Sequence, residues 1–274
     1  MVHPTGHVRA SVVALVVCAA GGSATAQWIN YPSARVPRLA DGKPNLSAPA
    51  PRTADGKVDF SGMWQSANLL PCDDVNRICT DLPISEQFRN IGAGRPGGLP
   101  YQPWVKEKMS EHRAWSDPYT NCITPGGPRM HLLPTMKKFV QTPDVLLILN
   151  EFNSNYRQVF LDGRALPPDP NPTWNGYSSA RWDGDTLVIS SHGFRDDQWL
   201  DARGSPLTSA AQVTERLRRR DFGHLQIELT VDDRKDYTEP WTVTLEQALV
   251  VDTEMLDAVC TENEKDVQHL KDAR

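Results

Sequence analysis

The chain has 274 residues, a formal net charge of -5 and an isoelectric point near 5.8. A partner with a phosphate backbone requires a concentrated basic surface, so this acidic balance argues against nucleic-acid binding. No segment after residue 26 approaches the ~20 consecutive apolar residues that a membrane helix needs. No integral membrane segment is therefore predicted.

The first residues have the pattern of a secretory leader. An apolar run from Ala10 to Ala20 follows a weakly basic start and precedes the small residues Ala24-Thr25-Ala26, which is typical of a cleaved signal peptide. We expect a signal peptide over 1–26, cleaved after Ala26, and a protein that is periplasmic or secreted.

Four of the five cysteines follow that leader: Cys72, Cys79, Cys122 and Cys260. An even number of cysteines in an oxidising compartment favours two disulfides, and four cysteines allow three connectivities. A local bridge between Cys72 and Cys79 is the simplest, which leaves Cys122 to pair with Cys260. A zinc site is the alternative, but the chain has no CxxC pair and no nearby pair of histidines, so no metal is predicted.

The segment over 27–60 is rich in proline, alanine and charged residues, and it contains a short repeat. Ala40-Asp41-Gly42-Lys43 recurs as Ala54-Asp55-Gly56-Lys57, and Asp-Gly pairs are typical of tight turns. We expect an extended N-terminal arm with two similar turns, lying on the surface of a single β-rich domain over 61–274.

Helical signals are confined to the section after the first predicted strand. Pro103 suits a first helical turn and Asp117-Pro118 ends the run. Four side chains of this run share one face: Trp104, Val105, Met109 and His112. A weaker helix is predicted over 85–91. We expect these short helices to form an N-terminal insert that packs across a sheet or barrel mouth.

From Lys138 onwards the hydrophobic pattern has the period of two that is typical of strands. Strands are predicted at 61–66, 144–152, 156–161, on both sides of Asp183-Gly184, and at 212–220, 225–231 and 241–250. Alternate residues of 225–231 are apolar, so one face of that strand belongs to the core and the other to solvent. The arginines over 216–220 are expected on the solvent face, where cross-strand carboxylates can pair with them.

This order predicts a mainly β protein built as an antiparallel up-and-down meander of seven or eight strands. Closure into a barrel removes exposed strand edges, and a barrel of about eight strands can hold one small ligand. The predicted fold is therefore a lipocalin-like barrel with one or two short helices, and a two-sheet sandwich is the alternative.

A set of short motifs runs through the chain. They include the turn element at 41–47 and again at 55–64, Pro125-Gly126-Gly127-Pro128-Arg129, Tyr156-Arg157-Gln158, the run from Gly176 to Val188, Trp199-Leu200-Asp201, Arg219-Arg220-Asp221-Phe222-Gly223-His224 and Cys260-Thr261-Glu262-Asn263-Glu264. Together they resemble a family of secreted, uncharacterised bacterial proteins with an N-terminal DGKPDLSGxW element. The resemblance covers nearly the whole chain after the leader and implies export and a β fold.

Two details qualify what the resemblance implies. Members of the family often carry a Gly-Gly-His-Pro-His segment after the Trp-Leu-Asp motif, whereas this chain has Arg203-Gly204-Ser205-Pro206-Leu207-Thr208. A role that rests on those histidines is not expected here. Gly62-Met63-Trp64 also resembles the Gly-x-Trp of lipocalins, which implies that Trp64 closes one end of the barrel.

Large aromatic side chains near loops suit an apolar ligand pocket with a few polar anchors, although a single tryptophan more often packs in the core. An inward arginine could fix an anionic group, but such arginines more often pair with a local carboxylate. The candidate ligand-binding residues are Arg129, His131, Glu151, Tyr156, Trp174, Tyr177, Arg181 and Trp199.

Acid–base chemistry has several candidate residues but no recognisable constellation. The candidates are His131, His192, His224, Glu151, Asp162 and Asp201. The chain has no Gly-x-Ser-x-Gly elbow, no His-Glu-x-x-His and no phosphate-binding glycine loop, and no cofactor is predicted.

Two principal hypotheses remain. The first is a lipocalin-like protein that binds a small apolar or amphipathic molecule. The second is a cofactor-independent enzyme, of the lyase or isomerase type, that uses a buried acid or histidine with an arginine anchor. A third is an interaction protein whose N-terminal arm binds a partner. The sequence does not indicate an oligomeric state.

Overall fold

The computed structural model describes residues 31–68, 84–112 and 116–262. The expected signal peptide over 1–26 and the expected bridge between Cys72 and Cys79 lie outside these residues.

The described residues are mainly β. Their strands are β1 (Gly62–Ser66), β2 (Lys137–Gln141), β3 (Val145–Asn150), β4 (Tyr156–Phe160), β5 (Tyr177–Asp183), β6 (Thr186–His192), β7 (Gln198–Trp199), β8 (Pro206–Leu207), β9 (Gln212–Arg219), β10 (His224–Asp232) and β11 (Trp241–Val250). Nine of these strands close into a barrel in the order β1-β11-β10-β9-β6-β5-β4-β3-β2, and β7 pairs with β8 outside it. The predicted lipocalin-like barrel is confirmed.

The meander departs from a purely antiparallel pattern at one seam. β4 and β5 pair in parallel, with Val159 opposite Ser178. Parallel neighbours require a connection that carries the chain back to the starting end, and the segment over 161–176 provides it. The β7–β8 hairpin is a second departure, because it leaves the barrel between β6 and β9.

The predicted hairpins form where the turn residues lie. Asp183 pairs with Thr186 across the Gly184 turn, and β9 and β10 pair along their length. Leu225, Ile227, Leu229 and Val231 are buried, as the alternation indicates. Two of the arginines in 216–220 differ from each other: Arg216 lies outside and pairs with Asp183 at 2.8 Å, whereas Arg219 points inward and is buried.

The insert between β1 and β2 carries the two predicted helices. α1 (Glu86–Arg89) has Ser85 as its N-cap, whose side chain accepts a hydrogen bond from the Phe88 amide at 3.1 Å. α2 (Pro103–Ser110) begins with proline in its first turn, where the missing amide hydrogen costs nothing. Two short 3₁₀ turns follow, at Pro118–Asn121 and Gly127–His131.

One end of the barrel is closed by Trp64 and Arg219. The Trp64 indole is fully buried and donates to the Phe60 carbonyl at 3.0 Å. The Arg219 guanidinium lies 4.9 Å from the centre of that indole and donates to the carbonyl oxygens of Asp59 and Ser61. A cation over an indole face is attracted to the ring quadrupole, so the pair forms a rigid closure.

The other end is filled by a chain segment. Every residue over 125–135 is buried, and this segment, which we call the plug, contributes Met130, His131 and Leu132 to the interior. The loop that leads into the plug is fixed by the disulfide between Cys122 and Cys260. The expected pairing of these two cysteines is confirmed.

The N-terminal arm lies along the outside of the barrel at its Trp64 end. Both repeats form a turn closed by a main-chain bond, from Leu39 to the Lys43 carbonyl and from Thr53 to the Lys57 carbonyl, each at 2.9 Å. The arginine two positions before each repeat then forms an ion pair with an aspartate next to a barrel strand: Arg38 with Asp252 after β11, and Arg52 with Asp185 in the turn between β5 and β6. Four apolar side chains of the arm join the core: Val36, Ala48, Val58 and Phe60.

Candidate functional site

The barrel interior contains a group of bonded charged side chains, which we call the polar centre. Glu215 points inward from β9, and its carboxylate accepts hydrogen bonds from Arg157 of β4 and from His131 of the plug, the latter at 2.8 Å. Arg157 also donates to Ser178 at 3.1 Å and to Ser191 at 2.9 Å. Each carboxylate oxygen therefore has at least one donor.

Burial and pairing set the protonation states of this group. Burial raises the pKa of the Glu215 carboxyl, but the Arg157 guanidinium, followed by His131, outweighs burial and holds the pKa well below its ordinary value. Burial lowers the pKa of the His131 imidazole. We therefore assign a charged Glu215 and a neutral His131 that donates from Nε2, which leaves His131 Nδ1 without a partner.

A second buried cation lies near the polar centre on β2. The Lys137 amine is fully buried and donates to the carbonyl oxygens of Leu133 and Thr135, both at 3.3 Å. Burial lowers its pKa to about 7, with a smaller opposing effect from Glu151. Lys137 thus differs from Arg157, because none of the ion pairs of the described residues joins it to a carboxylate.

The polar centre is enclosed rather than open to a ligand. Glu215 and His131 have no exposed surface, and Arg157 has almost none. A buried ion pair with complete hydrogen bonding fixes the arrangement of the strands that carry it. The group therefore positions the plug against β4 and β9.

An open cavity of about 400 Å³ lies outside the barrel, between α2 and the β7–β8 hairpin. We call it the α2 cleft. Its walls include Trp104, Lys108, Met109 and His112 from α2 and the residues after it, Gln198, Trp199, Pro206 and Thr208 from the hairpin, and Asp196, Asp197, Lys235 and Asp236 from two loops. The predicted apolar face of α2 is the face that lines this cleft.

Local bonds hold these elements in place. The Asp201 carboxylate accepts from the amides of Ile91 and Ser205 at 2.8 and 3.1 Å, which ties the hairpin turn to the insert. The Gln102 amide donates to the Asp236 carbonyl at 2.9 Å, which fixes the start of α2 against the loop before β11. The cleft is therefore built on a fixed frame.

Close packing between Gly204 and His112 shapes the floor of the cleft. Gly204 has a φ of +88°, and a Cβ there would lie 2.1 Å from His112 Nδ1. His112 stacks on the Trp199 ring with 4.3 Å between centroids. Glycine is needed because only a residue without a side chain accepts both the backbone conformation and this approach.

Two side chains in the cleft wall have unsatisfied hydrogen-bonding atoms. Asp236 is 4% exposed, and its Oδ1 has no hydrogen-bond partner. Gln198 Nε2 is also buried and unpartnered. Burial, followed by the negative charge of the neighbouring Asp233, raises the pKa of the Asp236 carboxyl to about 6. Buried polar groups are normally bonded, but among the described residues these two atoms in the cleft wall lack the partner that such groups usually have.

The predicted ligand-binding residues occupy three kinds of place. His131 lies in the polar centre. Trp199 lines the α2 cleft, and together with Arg129 and Trp174 it also borders an adjacent gap of about 10 Å³. Arg129 is buried against Asp117 at 2.7 Å and donates to the Trp199 carbonyl at 3.4 Å, so it supports the cleft from behind.

The remaining predicted residues lie apart from both sites. The Glu151 carboxylate accepts from the amides of Met136 and Leu256 at 3.0 and 3.1 Å and so holds the segment after β11. Tyr156 is 57% exposed, Arg181 is exposed on β5, and the Tyr177 hydroxyl donates to the Asn171 carbonyl at 3.2 Å.

Sequence reasoning missed Asp236 and Gln198 as site residues. Asp236 lies between two strands in a run of charged residues, which is the usual composition of an exposed turn. Nothing local indicates that its carboxylate is buried, since that follows from α2, more than a hundred positions earlier in the chain.

No protein-family model and no curated protein matches the chain. No helix among the described residues is long and apolar enough to cross a membrane. Within the same residues, no group of three or more histidine, cysteine or acidic side chains is placed to hold a metal ion. Functional inference therefore rests on the geometry of the polar centre and the α2 cleft.

Proposed function

We propose that the protein is a periplasmic or secreted binder of a small amphipathic molecule, and that this molecule occupies the α2 cleft. One observation carries the proposal: aromatic residues and two buried polar residues, Gln198 and Asp236, line the same open cavity of about 400 Å³. Ligand sites typically combine apolar walls with a few polar groups that fix orientation. The motif resemblance and the Cys122–Cys260 disulfide support export.

The location outside the barrel distinguishes this proposal from binding inside a lipocalin-like cavity. Trp64 and Arg219 occupy one end of the barrel and the plug occupies the other. The interior positions between them carry buried side chains from every barrel strand. The cleft, in contrast, is open, and Trp104 at its rim is 48% exposed.

A reaction at the polar centre is less well supported than binding. His131 and Arg157 match the buried histidine and arginine anchor that such an enzyme would use. Both, however, bond to Glu215 and are enclosed, whereas a general base must reach the proton that it removes.

Nile red, a neutral amphipathic dye, provides a direct test because its emission rises in apolar sites. We expect saturable binding to the purified protein and about 5- to 150-fold weaker binding after Trp199→Ala, since loss of an aromatic wall typically costs about 1–3 kcal/mol. Tyr156→Ala is the matched control, because Tyr156 is an exposed aromatic residue on β4. Equal binding by both variants and the unaltered protein would place the dye elsewhere and contradict the proposal.

Native mass spectrometry adds an independent measurement, on protein that is expressed with its leader and purified after secretion. We expect a retained small molecule that is lost on denaturation and is absent from the Trp199→Ala variant. A molecule that is retained equally by that variant would argue for a site in the barrel interior.

A further inference from the structure

We propose that the ligand of the α2 cleft carries an organic cation, an amine or quaternary ammonium group, that pairs with the Asp236 carboxylate. The inference rests on the proposed binding function and specifies its ligand class. It follows from a buried acidic residue that lines a cavity with aromatic walls and whose carboxylate takes part in none of the hydrogen bonds or ion pairs of the described residues.

The isolation of Asp236 is the first step of the argument. None of the hydrogen bonds or ion pairs among the described residues includes its carboxylate. The acidic residues around it are all occupied: Asp233 accepts from Thr208 at 2.9 Å, and Asp196 pairs with Lys235 at 3.1 Å. A buried carboxylate without a partner is costly, and a bound cation would remove that cost.

The charged groups near Asp236 provide it with no salt bridge among the described residues. The titratable groups that face it are Asp233, Lys235 and Tyr237 on its own loop, Lys108 and His112 from the α2 side, and Asp196 from the loop before β7. Lys235 is already paired with Asp196, and Lys108 is exposed to solvent, which screens its charge. The raised pKa of Asp236 reflects burial first and the negative charge of Asp233 second.

The aromatic walls favour a cation of low hydration. Trp104 and Trp199 both line the cavity, and tryptophan faces attract ammonium groups, most strongly where the cation has lost water. The cleft wall carries three aspartates, Asp196, Asp197 and Asp236, and two lysines, Lys108 and Lys235. Because Lys235 is paired with Asp196, a small anion would meet more negative than positive charge. The cleft therefore selects an amphipathic cation over a neutral or anionic molecule with the same apolar part.

Three compounds with one phenethyl tail test this selection: the trimethylammonium compound, its neutral tert-butyl isostere and the carboxylate. The affinity of each compound is measured from the concentration at which it displaces Nile red at pH 7.5. We expect the trimethylammonium compound to bind at least about tenfold more tightly than the isostere, and the carboxylate to bind most weakly. The Asp236→Asn variant should lose most of the preference for the cation, measured as the ratio of the two affinities in that variant.

The matched control is Asp232→Asn, because Asp232 lies near Asp236 in the chain, pairs with Arg234 at 2.7 Å and is outside the cleft wall. It should keep the preference. Cation affinity should also rise about tenfold from pH 5 to pH 7.5 as Asp236 ionises, since binding requires the ionised fraction. The Asp236→Asn variant should lose this rise.

The failures of the two proposals are distinguishable. Equal binding of cation and isostere, or a preference for the cation that persists in Asp236→Asn, would overturn the proposed ligand class. Nile red binding that depends on Trp199 would in that case still support the α2 cleft as the binding site. Nile red binding that does not depend on Trp199 would overturn both.

Discussion

Replacement of Lys137 by methionine should stabilise the protein at neutral and mildly acidic pH. The amine is fully buried with two carbonyl oxygens at 3.3 Å and no carboxylate partner. Its pKa is lowered by burial from 10.5 to about 7, and a shift of this size corresponds to roughly 5 kcal/mol. Methionine has a similar length and removes this cost.

The substitution also has a cost of its own. It leaves the carbonyl oxygens of Leu133 and Thr135 without their donor, and an unsatisfied buried polar group costs about 1–3 kcal/mol. Because both bonds are long at 3.3 Å, we take about 1 kcal/mol for each carbonyl oxygen, and at pH 6 we therefore expect Lys137→Met to raise the free energy of unfolding by about 3 kcal/mol. Urea unfolding followed by circular dichroism measures this difference.

The pH dependence gives the sharper measurement. Between the folded pKa near 7 and the unfolded pKa near 10.5, the unfolded state binds more protons, so the stability of the unaltered protein rises with pH through this window. The advantage of Lys137→Met should shrink as pH rises from 6 to 9.5. An advantage that stays constant over this range would show that the amine keeps an ordinary pKa and would refute the reasoning.

Replacement of Arg157, the buried cation of the polar centre, by methionine should lower the free energy of unfolding, the opposite of the effect expected at Lys137. Arg157→Met leaves the Glu215 charge buried without its principal partner, and breaking such a pair typically costs 3–5 kcal/mol. The contrast between Lys137 and Arg157 controls for the general effect of placing methionine in the barrel interior.

Three further changes test the closures and the cleft. Gly204→Ala should displace His112 from the Trp199 stack and weaken Nile red binding, which a fluorescence titration measures. Arg219→Met leaves carbonyl oxygens before β1 unpaired and should lower the free energy of unfolding by about 2–3 kcal/mol in urea. Replacing both Cys122 and Cys260 with serine should lower it by about 2–5 kcal/mol, because the bridge closes a loop with a separation of 138 residues.

The features that sequence reasoning predicted well are those with local causes. The Asp183-Gly184 turn fixes its hairpin, the alternation in 225–231 fixes which face of β10 is buried, and Pro103 marks the start of α2. Each depends on residues within about ten positions of one another. Such patterns determine where elements begin and which face they bury.

The features that were missed depend on contacts between distant parts of the chain. Arg216 and Arg219 belong to one basic run, yet only Arg219 turns inward, because Trp64 and the carbonyl oxygens before β1 receive it. The parallel seam between β4 and β5 depends on the path of the long connection over 161–176. Neither follows from the local pattern.

The position of the cleft follows from how the barrel is interrupted. A regular barrel offers a ligand only its interior, and here the plug and the Trp64 end occupy that interior. The chain leaves the barrel for the insert between β1 and β2 and again for the hairpin between β6 and β9. These two excursions pack against each other and form a cavity between them, while the barrel serves as the support. The proposed binding chemistry therefore depends on the insert and the hairpin, whereas the polar centre lies inside the barrel.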